Sequence, residues 1–328
     1  MMKSSVHLDI SIIIITKDRR KYLKKTLTSL KKLNFHKAQY EIVVVEEADD
    51  PQEISEVKYV LIPRKNKGFG CARNTGLAHA TGEIIVFLDD DCEIHNGWLE
   101  KLLDPFKDDS VGGVQGGVTV SESTNPIGWA ESILGFPGGG VRRIQLAKGK
   151  VQETSAVSTL NCAYRKQVLD KVGGFEEGGG GKLGSEDELL AKQACNHARC
   201  LFVPDALVNH ESRGSLIKIW HWFVRRGRAE LKVIGTNRLK NGKFWLLFRR
   251  SLTIKMIILI AISVVFLDWI WFWIVFAALA YSIFQYVRYY NTWRISRARP
   301  TALLLLPLVK LTMDLATDWG RFRGILFG

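Results

Sequence analysis

Residues 84–94 read IIVFLDDDCEI: a run of five apolar residues ends in three consecutive aspartates. Side by side, such groups repel and raise one another's pKa, so something must compensate. In an extended chain successive side chains alternate faces, which sends Asp89 and Asp91 one way and Asp90 the other. Two carboxylates on one side at a strand's carboxyl end can hold a hard divalent cation. Magnesium typically takes one or two carboxylates and completes its shell with water and phosphate. The plainer alternative is a set of solvated acids at a helix start, because residues 95–103 have helical spacing. Upstream, NKGFGCARNTGLAHATGE (66–83) places Arg73 on a helix leading into the aspartate strand, where it can meet a phosphate or brace an acid. Downstream, SEDE (185–188) opens an amphipathic helix. Glu186 and Asp187 there either complement the helix dipole or supply a general base. His210 closes FVPDALVNH, and a lone histidine of this kind is either structural or a ligand. WHWFVRRGRAEL (220–231) carries Arg225, Arg226 and Arg228, which suit either an anionic lipid surface or an anionic substrate.

These residues need a scaffold, and the first hundred residues supply one by alternating strand and helix patterns. Ile10–Ile15, 41–45, 57–62 and 83–89 read as strands, with helical spacing over 17–33 and 70–80 between them. Strands that are apolar throughout predict a sheet covered on both faces and largely parallel. In such sheets ligands bind beyond the carboxyl ends of the strands, where the strand order reverses. Three of the four strands end in polar groups: Thr16-Lys17-Asp18, Glu46-Glu47 and Asp89-Asp90-Asp91. Residues 111–120 read as a further strand, interrupted by paired glycines. Four successive glycines at 178–181 predict a mobile loop able to close over a site.

Net charge is +13 over 328 residues, and its placement is uneven. Met1–His210 holds 27 basic against 28 acidic side chains, whereas Glu211–Gly328 holds 19 against 5. The basic excess of the last third points to an anionic partner such as a membrane surface. The five cysteines have irregular spacing and form no CxxC, which reads as reduced thiols facing the cytosol. No signal peptide is expected at the amino terminus. Residues 251–287 contain only two charges, Lys255 and Asp268. One helix of that length would be about 55 Å long against a hydrocarbon core of about 30 Å. A hairpin of two spans turning at Asp268 fits better, and its basic outer flanks predict that both ends lie inside. The stretch 301–324 places Lys310, Asp314 and Asp318 at four-residue intervals, which reads as an interfacial amphipathic helix or a third span.

The motifs SIIIITKDRRKYLKKTLTSL, YEIVVVEEADD, NKGFGCARNTGLAHATGEIIVFLDDD, NCAYRKQVLDKVGGFEE and SEDELL, in that order, resemble the family 2 glycosyltransferases over residues 8–230. The resemblance implies an α/β fold of the GT-A nucleotide-sugar type, a Rossmann-like and mostly parallel sheet, followed here by membrane helices. It implies a domain at 1–230, and the apolar and basic patterns above add a basic juxtamembrane segment at 231–250, a transmembrane hairpin at 251–288 and a last helix at 300–328. It implies that Thr16 lines the nucleotide and that Glu46 stands where the family usually has an aspartate contacting the base or ribose. Arg73 would lie by the nucleotide. Asp89 and Asp91 would form the DxD pair, with Asp91 on the metal and Asp89 near the ribose or the metal. Asp187 would be the catalytic base beside Glu186. Asn161 and Arg165 would lie under the donor sugar and acceptor. His210 would meet the metal or diphosphate, and Arg225 an anionic part of the ligand.

The implied reaction is an inverting, metal-dependent transfer from a UDP- or GDP-linked sugar. The cation would be Mn2+ or Mg2+. The expected acceptor is a polyprenyl phosphate or lipid-linked saccharide, and the expected partner surface is a membrane rather than nucleic acid. The expected location is the cell membrane, multi-pass, with the catalytic domain on the cytoplasmic side. Processive polysaccharide synthases of the family carry QxxRW near residue 225, which this sequence lacks. A nucleotidyltransferase and a non-catalytic relative that keeps only the fold remain as alternatives.

Overall fold

The computed structural model describes residues 9–33, 40–49, 54–64, 68–178, 184–233, 251–256, 258 and 270–327. Two compact units emerge. One comprises residues 1–121 and 137–211, the other 122–136 and 212–328.

In the first unit the chain runs β1 (Ile10–Thr16), α1 (Arg20–Leu30), β2 (Tyr40–Glu47), β3 (Lys58–Ile62), α2 (Phe69–His79), β4 (Ile84–Leu88), β5 (Cys92–Ile94), α3 (Trp98–Leu103) and β6 (Val111–Thr119). The segment 122–136, which belongs to the second unit, contains α4 (Pro126–Ile133). The first unit resumes with α5 (Gly140–Ala147), β7 (Gln152–Glu153), β8 (Asn161–Arg165), α6 (Lys166–Val172), α7 (Glu186–His197) and β9 (Arg199–His210). The strands form one sheet in the order β3-β2-β1-β4-β8-β6-β9-β5, with β7 added to β9.

The first four strands are parallel, as their apolar pattern predicts. Ile12 and Ile14 of β1 pack with Leu23, Leu27 and Trp98 on one face, while Ile13 packs with Ala72, Leu169 and Leu190 on the other. Both faces are covered, so every position along these strands gains from being apolar. The second half of the sheet is mixed. β8 runs antiparallel between β4 and β6, and β9 is parallel to β6. From β1 the chain moves to β2 and β3 on one side, then returns to lay β4 on the other. The strand order therefore reverses between β1 and β4, at the ends that carry Thr16 and the aspartates.

The glycines of β6 fit close approaches rather than turns. A Cβ on Gly116 would sit 2.3 Å from Asn161 Nδ2 and 2.4 Å from the Ala206 carbonyl. The register of β6 against β9 shifts at Val111/Gly113 and again at Gly116/Val118.

The second unit contains α4, α8 (Leu216–Val233), α9 (Ile270–Ile295) and α10 (Pro300–Phe327). The domain end expected near residue 230 falls inside α8. α8 and α10 touch backbone to backbone, since a Cβ at Gly227 would lie 2.2 Å from Thr317 O and one at Gly320 2.1 Å from Val224 O. Small residues permit such contacts. Trp271–Ile295 and Pro300–Leu326 are long and apolar enough to cross a membrane, and α9 exposes most of its apolar surface. The expected hairpin ends at 288, but α9 runs on to Ile295. Most of the first half of that expected hairpin, and residues 234–250, lie outside the described residues. On α10 the polar residues at four-residue spacing find partners. Lys310 pairs with Asp314, and Asp318 accepts hydrogen bonds from Ser251, Thr253 and Arg321.

Candidate functional site

The aspartate run begins where β4 ends. Asp90 turns inward, accepting from Thr16 Oγ1 at 2.6 Å and pairing with Arg19 Nη1 at 3.0 Å, while Thr26 Oγ1 donates to its carbonyl. Burial pushes the Asp90 carboxyl up to about 7, against the pull of Arg19 and the Thr16 hydrogen bond. Thr16 is thus buried and spent on the aspartates. The alternation expected for an extended chain separates Asp90 from its neighbours.

Asp89 and Asp91 share their surroundings with His210. The pairing of β5 with β9 sets Cys92 opposite His210 and so brings the histidine beside the run. His210 Nε2 lies 3.1 Å from Asp91 Oδ1 and 4.0 Å from Asp89 Oδ2. Arg19 holds the other oxygen of Asp91. Asp91 Oδ1 is buried and accepts no well-directed hydrogen bond, although the imidazole nitrogen faces it. Lone-pair atoms of three side chains, all within 4.8 Å of one another, converge here. Two carboxylates and an imidazole suit a divalent cation such as Mn2+ or Mg2+. Among the described residues this is the one such group.

Arg73 joins this cluster to α7. It is buried between the rings of Phe69 and Phe175, pairs with Glu186 and sits 3.6 Å from Asp89 Oδ1. Of the two roles open to it in the sequence, the structure shows the bracing of acids. Burial opposes its charge, but Glu186, Asp89 and Asp187 more than offset that and hold its pKa above the usual arginine value. Glu186 is itself buried, and burial pushes its carboxyl up to about 7 against Arg73. Its Oε2 has no hydrogen-bond partner. Asp187, next along α7, is half-buried. Its Oδ1 accepts from the Glu188 N–H at 2.8 Å, and its Oδ2 from Ser158 Oγ at 3.2 Å.

Four other expected residues lie as follows. Glu46 is 2% exposed and held by Arg20 through both oxygens and by the Tyr59 hydroxyl. Burial and Glu46 push the Tyr59 phenol up to about 12. Asn161 is fully buried, with Nδ2 donating to the Gly117 and Ala206 carbonyls, each at 2.9 Å, and Oδ1 accepting from Trp98 Nε1 at 2.8 Å. Its amide stitches β6, β8, β9 and α3 together and presents no face to a ligand. Replacing it by alanine strands three buried polar groups, so Asn161→Ala should lower stability by about 3 kcal/mol or more, read as a fall in melting temperature. Arg165 pairs with Ile84, at the opposite end of β4 from Asp89, and donates to the Val111 and Phe106 carbonyls. Arg225 is exposed on α8 of the second unit. Of the glycine loop, residues 179–181 lie outside the described residues.

Arg19, Arg20 and Ser158 escaped the sequence reading. KDRR directly after β1 was the signal for the two arginines, because the turn at the end of β1 must pass the aspartates. Asp18 makes that turn with φ at 56°, in the left-handed region that aspartate tolerates better than most. Nothing local marked Ser158.

All five cysteines are free thiols, and four are buried. Cys195 lines an open cavity of about 930 Å³ at the ends of β6 and β8 away from the aspartates, and its hydrogen bond with Cys200 lowers its pKa. Burial raises Cys92 and Cys162. N-ethylmaleimide should therefore modify Cys195 in the folded protein and reach the others only after denaturation, which peptide mass mapping would show.

Residues 11–173 match the model of glycosyl transferase family 2. The pre-mycofactocin glycosyltransferase of Mycobacterium tuberculosis is 30% identical over 218 residues, covering 64% of this chain and 44% of that protein. The chain thus spans less than half the length of this relative. The glycosyltransferase AglE of Haloferax volcanii is 28% identical over 244 residues, covering 70% of this chain and 75% of that protein. Among solved structures, the mannosyltransferase PcManGT of Pyrobaculum calidifontis, in complex with GDP-Man and Mn2+, superposes with a TM-score of 0.56 at 19% identity. That likeness covers 97% of this chain and 87% of the other, and it shows a shared GT-A fold. With five motifs in order on a GT-A sheet and a family match that begins in β1, the chain belongs to the family 2 glycosyltransferases.

Proposed function

We propose that the protein transfers a sugar from a GDP- or UDP-linked donor to a lipid-linked acceptor, such as a polyprenyl phosphate, at a membrane. The observation that carries the reading is the convergence of Asp89, Asp91 and His210 at the reversal point of a family 2 glycosyltransferase sheet. Asp91 and His210, with Asp89 at their side, would hold a divalent cation. When bound, that cation neutralises the charge that builds on a departing diphosphate. Arg19 fixes Asp91 by one oxygen and leaves the other for the ligand. Glu186 offers its unpartnered Oε2 to a hydroxyl of the donor sugar.

Asp187 takes the proton from the acceptor hydroxyl as that oxygen attacks the anomeric carbon from the face opposite the diphosphate. The new C–O bond forms, the bond to the β-phosphate oxygen breaks with its electron pair going to the phosphate, and the configuration inverts. An acceptor that is already a phosphate has little need of a base, and Asp187 then serves to orient it. The apolar α9 and α10 and the basic excess of the last third support attachment to a membrane, with the first unit on its cytoplasmic side. The GDP-Man and Mn2+ in the Pyrobaculum complex support a nucleotide-sugar donor with a divalent cation.

The test is a panel of GDP- and UDP-sugars offered to detergent-solubilised full-length protein with Mn2+ or Mg2+, with and without polyprenyl phosphate. Release of nucleoside diphosphate from one donor, increased by the lipid, is the expected result. Equal activity on a water-soluble acceptor would remove the lipid acceptor, and no turnover of any donor would contradict the transferase reading.

A further inference from the structure

Arg143, on α5, is partly buried, and among the described residues its hydrogen bonds go to neutral groups rather than to a carboxylate. Burial pulls its pKa down to about 10. A desolvated cation without a counter-ion is costly unless its hydrogen bonds do something specific. Its hydrogen bonds go to residues 154–156 and to Gln115 of β6. Arg143 stacks on Phe202 with its guanidinium carbon 4.2 Å from the ring centre. It donates to Thr154 Oγ1 at 2.6 Å, to the Ala156 carbonyl at 3.1 Å and to Gln115 Oε1 at 2.7 Å. Gln115 is 1% exposed and in turn donates to the Gly138 carbonyl at 2.8 Å. Its Oε1 also accepts the Ser158 N–H at 3.0 Å. The hydroxyl of Ser158 then donates to Asp187 Oδ2 at 3.2 Å. Asp187 thus has one oxygen fixed by its own helix and the other by a serine whose backbone is clamped by Gln115.

We infer that Ser158 is a positioning residue for Asp187, presented by the Arg143–Gln115 clamp, which sets the direction in which that carboxylate points. The inference rests on the reading of Asp187 as the base. Without the Ser158 hydroxyl one oxygen of Asp187 loses its anchor, and the carboxylate can turn away from the direction its helix and the clamp give it. The other titratable groups near Asp187 are Glu186 and Glu188 on its own helix, Arg73 from α2, and Cys162 and Tyr164 from β8. None of them is altered by changing Ser158.

The test compares Ser158→Ala and Ser158→Thr with the wild type as full-length protein in detergent. The readouts are kcat and donor KM on a hydroxyl acceptor, and Ser158→Thr, which keeps the hydroxyl, should restore the wild-type values. In turnover of the GDP- and UDP-sugar panel, Ser158→Ala should lower kcat about tenfold with donor KM unchanged. A kcat equal to wild type in Ser158→Ala while Asp187→Asn is inactive, or a loss that threonine does not restore, would overturn the inference. Wild-type turnover in Asp187→Asn would instead overturn the reading of Asp187 as the base.

Discussion

Asp91→Asn should reduce turnover by about a thousandfold or more at saturating Mn2+, because a lost cation ligand removes several kcal/mol of charge stabilisation from the transition state. Asparagine has nearly the same shape, but it is neutral and offers one acceptor oxygen instead of two. If that oxygen stays with Arg19, an amide N–H points to where the cation should be. If it faces His210 instead, Arg19 meets the amide donor. Either arrangement weakens the three-sided group of Asp89, Asp91 and His210. The fold should survive, because Arg19 keeps its contact with Asp90 at 3.0 Å and the β5–β9 pairing does not involve the side chain. A melting temperature within a few degrees of wild type, measured on the sample used for kinetics, would separate lost chemistry from lost structure.

Asp187→Asn should cost about 10²–10⁴ in kcat on a hydroxyl acceptor, the range for a positioned general base, with donor KM little changed. The amide keeps the volume of the carboxylate, and its oxygen can still accept from either Glu188 N–H or Ser158 Oγ. Asparagine cannot accept a proton. On an acceptor that is already a phosphate the same substitution should cost far less, because that nucleophile arrives ionised. Measuring kcat on both acceptor types therefore reads the role of Asp187 directly. A large and equal loss on both would make it an orienting group rather than a base.

Much of this site was legible because strand chemistry is local. The apolar runs of β1, β2 and β4 and the polar residues at their ends follow from which positions a twice-covered sheet buries, and they placed Asp89 and Asp91 on one side. The pairing of Cys92 with His210 was not legible, because β5 is three residues long and its partner lies more than a hundred residues away. The partners of Asn161 were not legible either, because Gly116 leaves the opening that its amide fills, and that closeness of β6 to β8 is not written in either strand alone. Ser158 lacks any local signal, since its meeting with Asp187 depends on Gln115 and Arg143 from two other elements. The spacing of the polar stripe on α10 left an interfacial helix and a third span both open, and it did not show that Asp318 is taken up by Ser251 and Thr253.

The most direct measurement is a Mn2+ titration followed by electron paramagnetic resonance, on full-length protein in detergent with GDP or UDP present, comparing wild type with Asp91→Asn. The account predicts one Mn2+ bound per wild-type chain, and a loss of that binding in the variant that parallels its loss of turnover. Equal Mn2+ binding by both proteins, or full turnover with all divalent cations chelated, would contradict it.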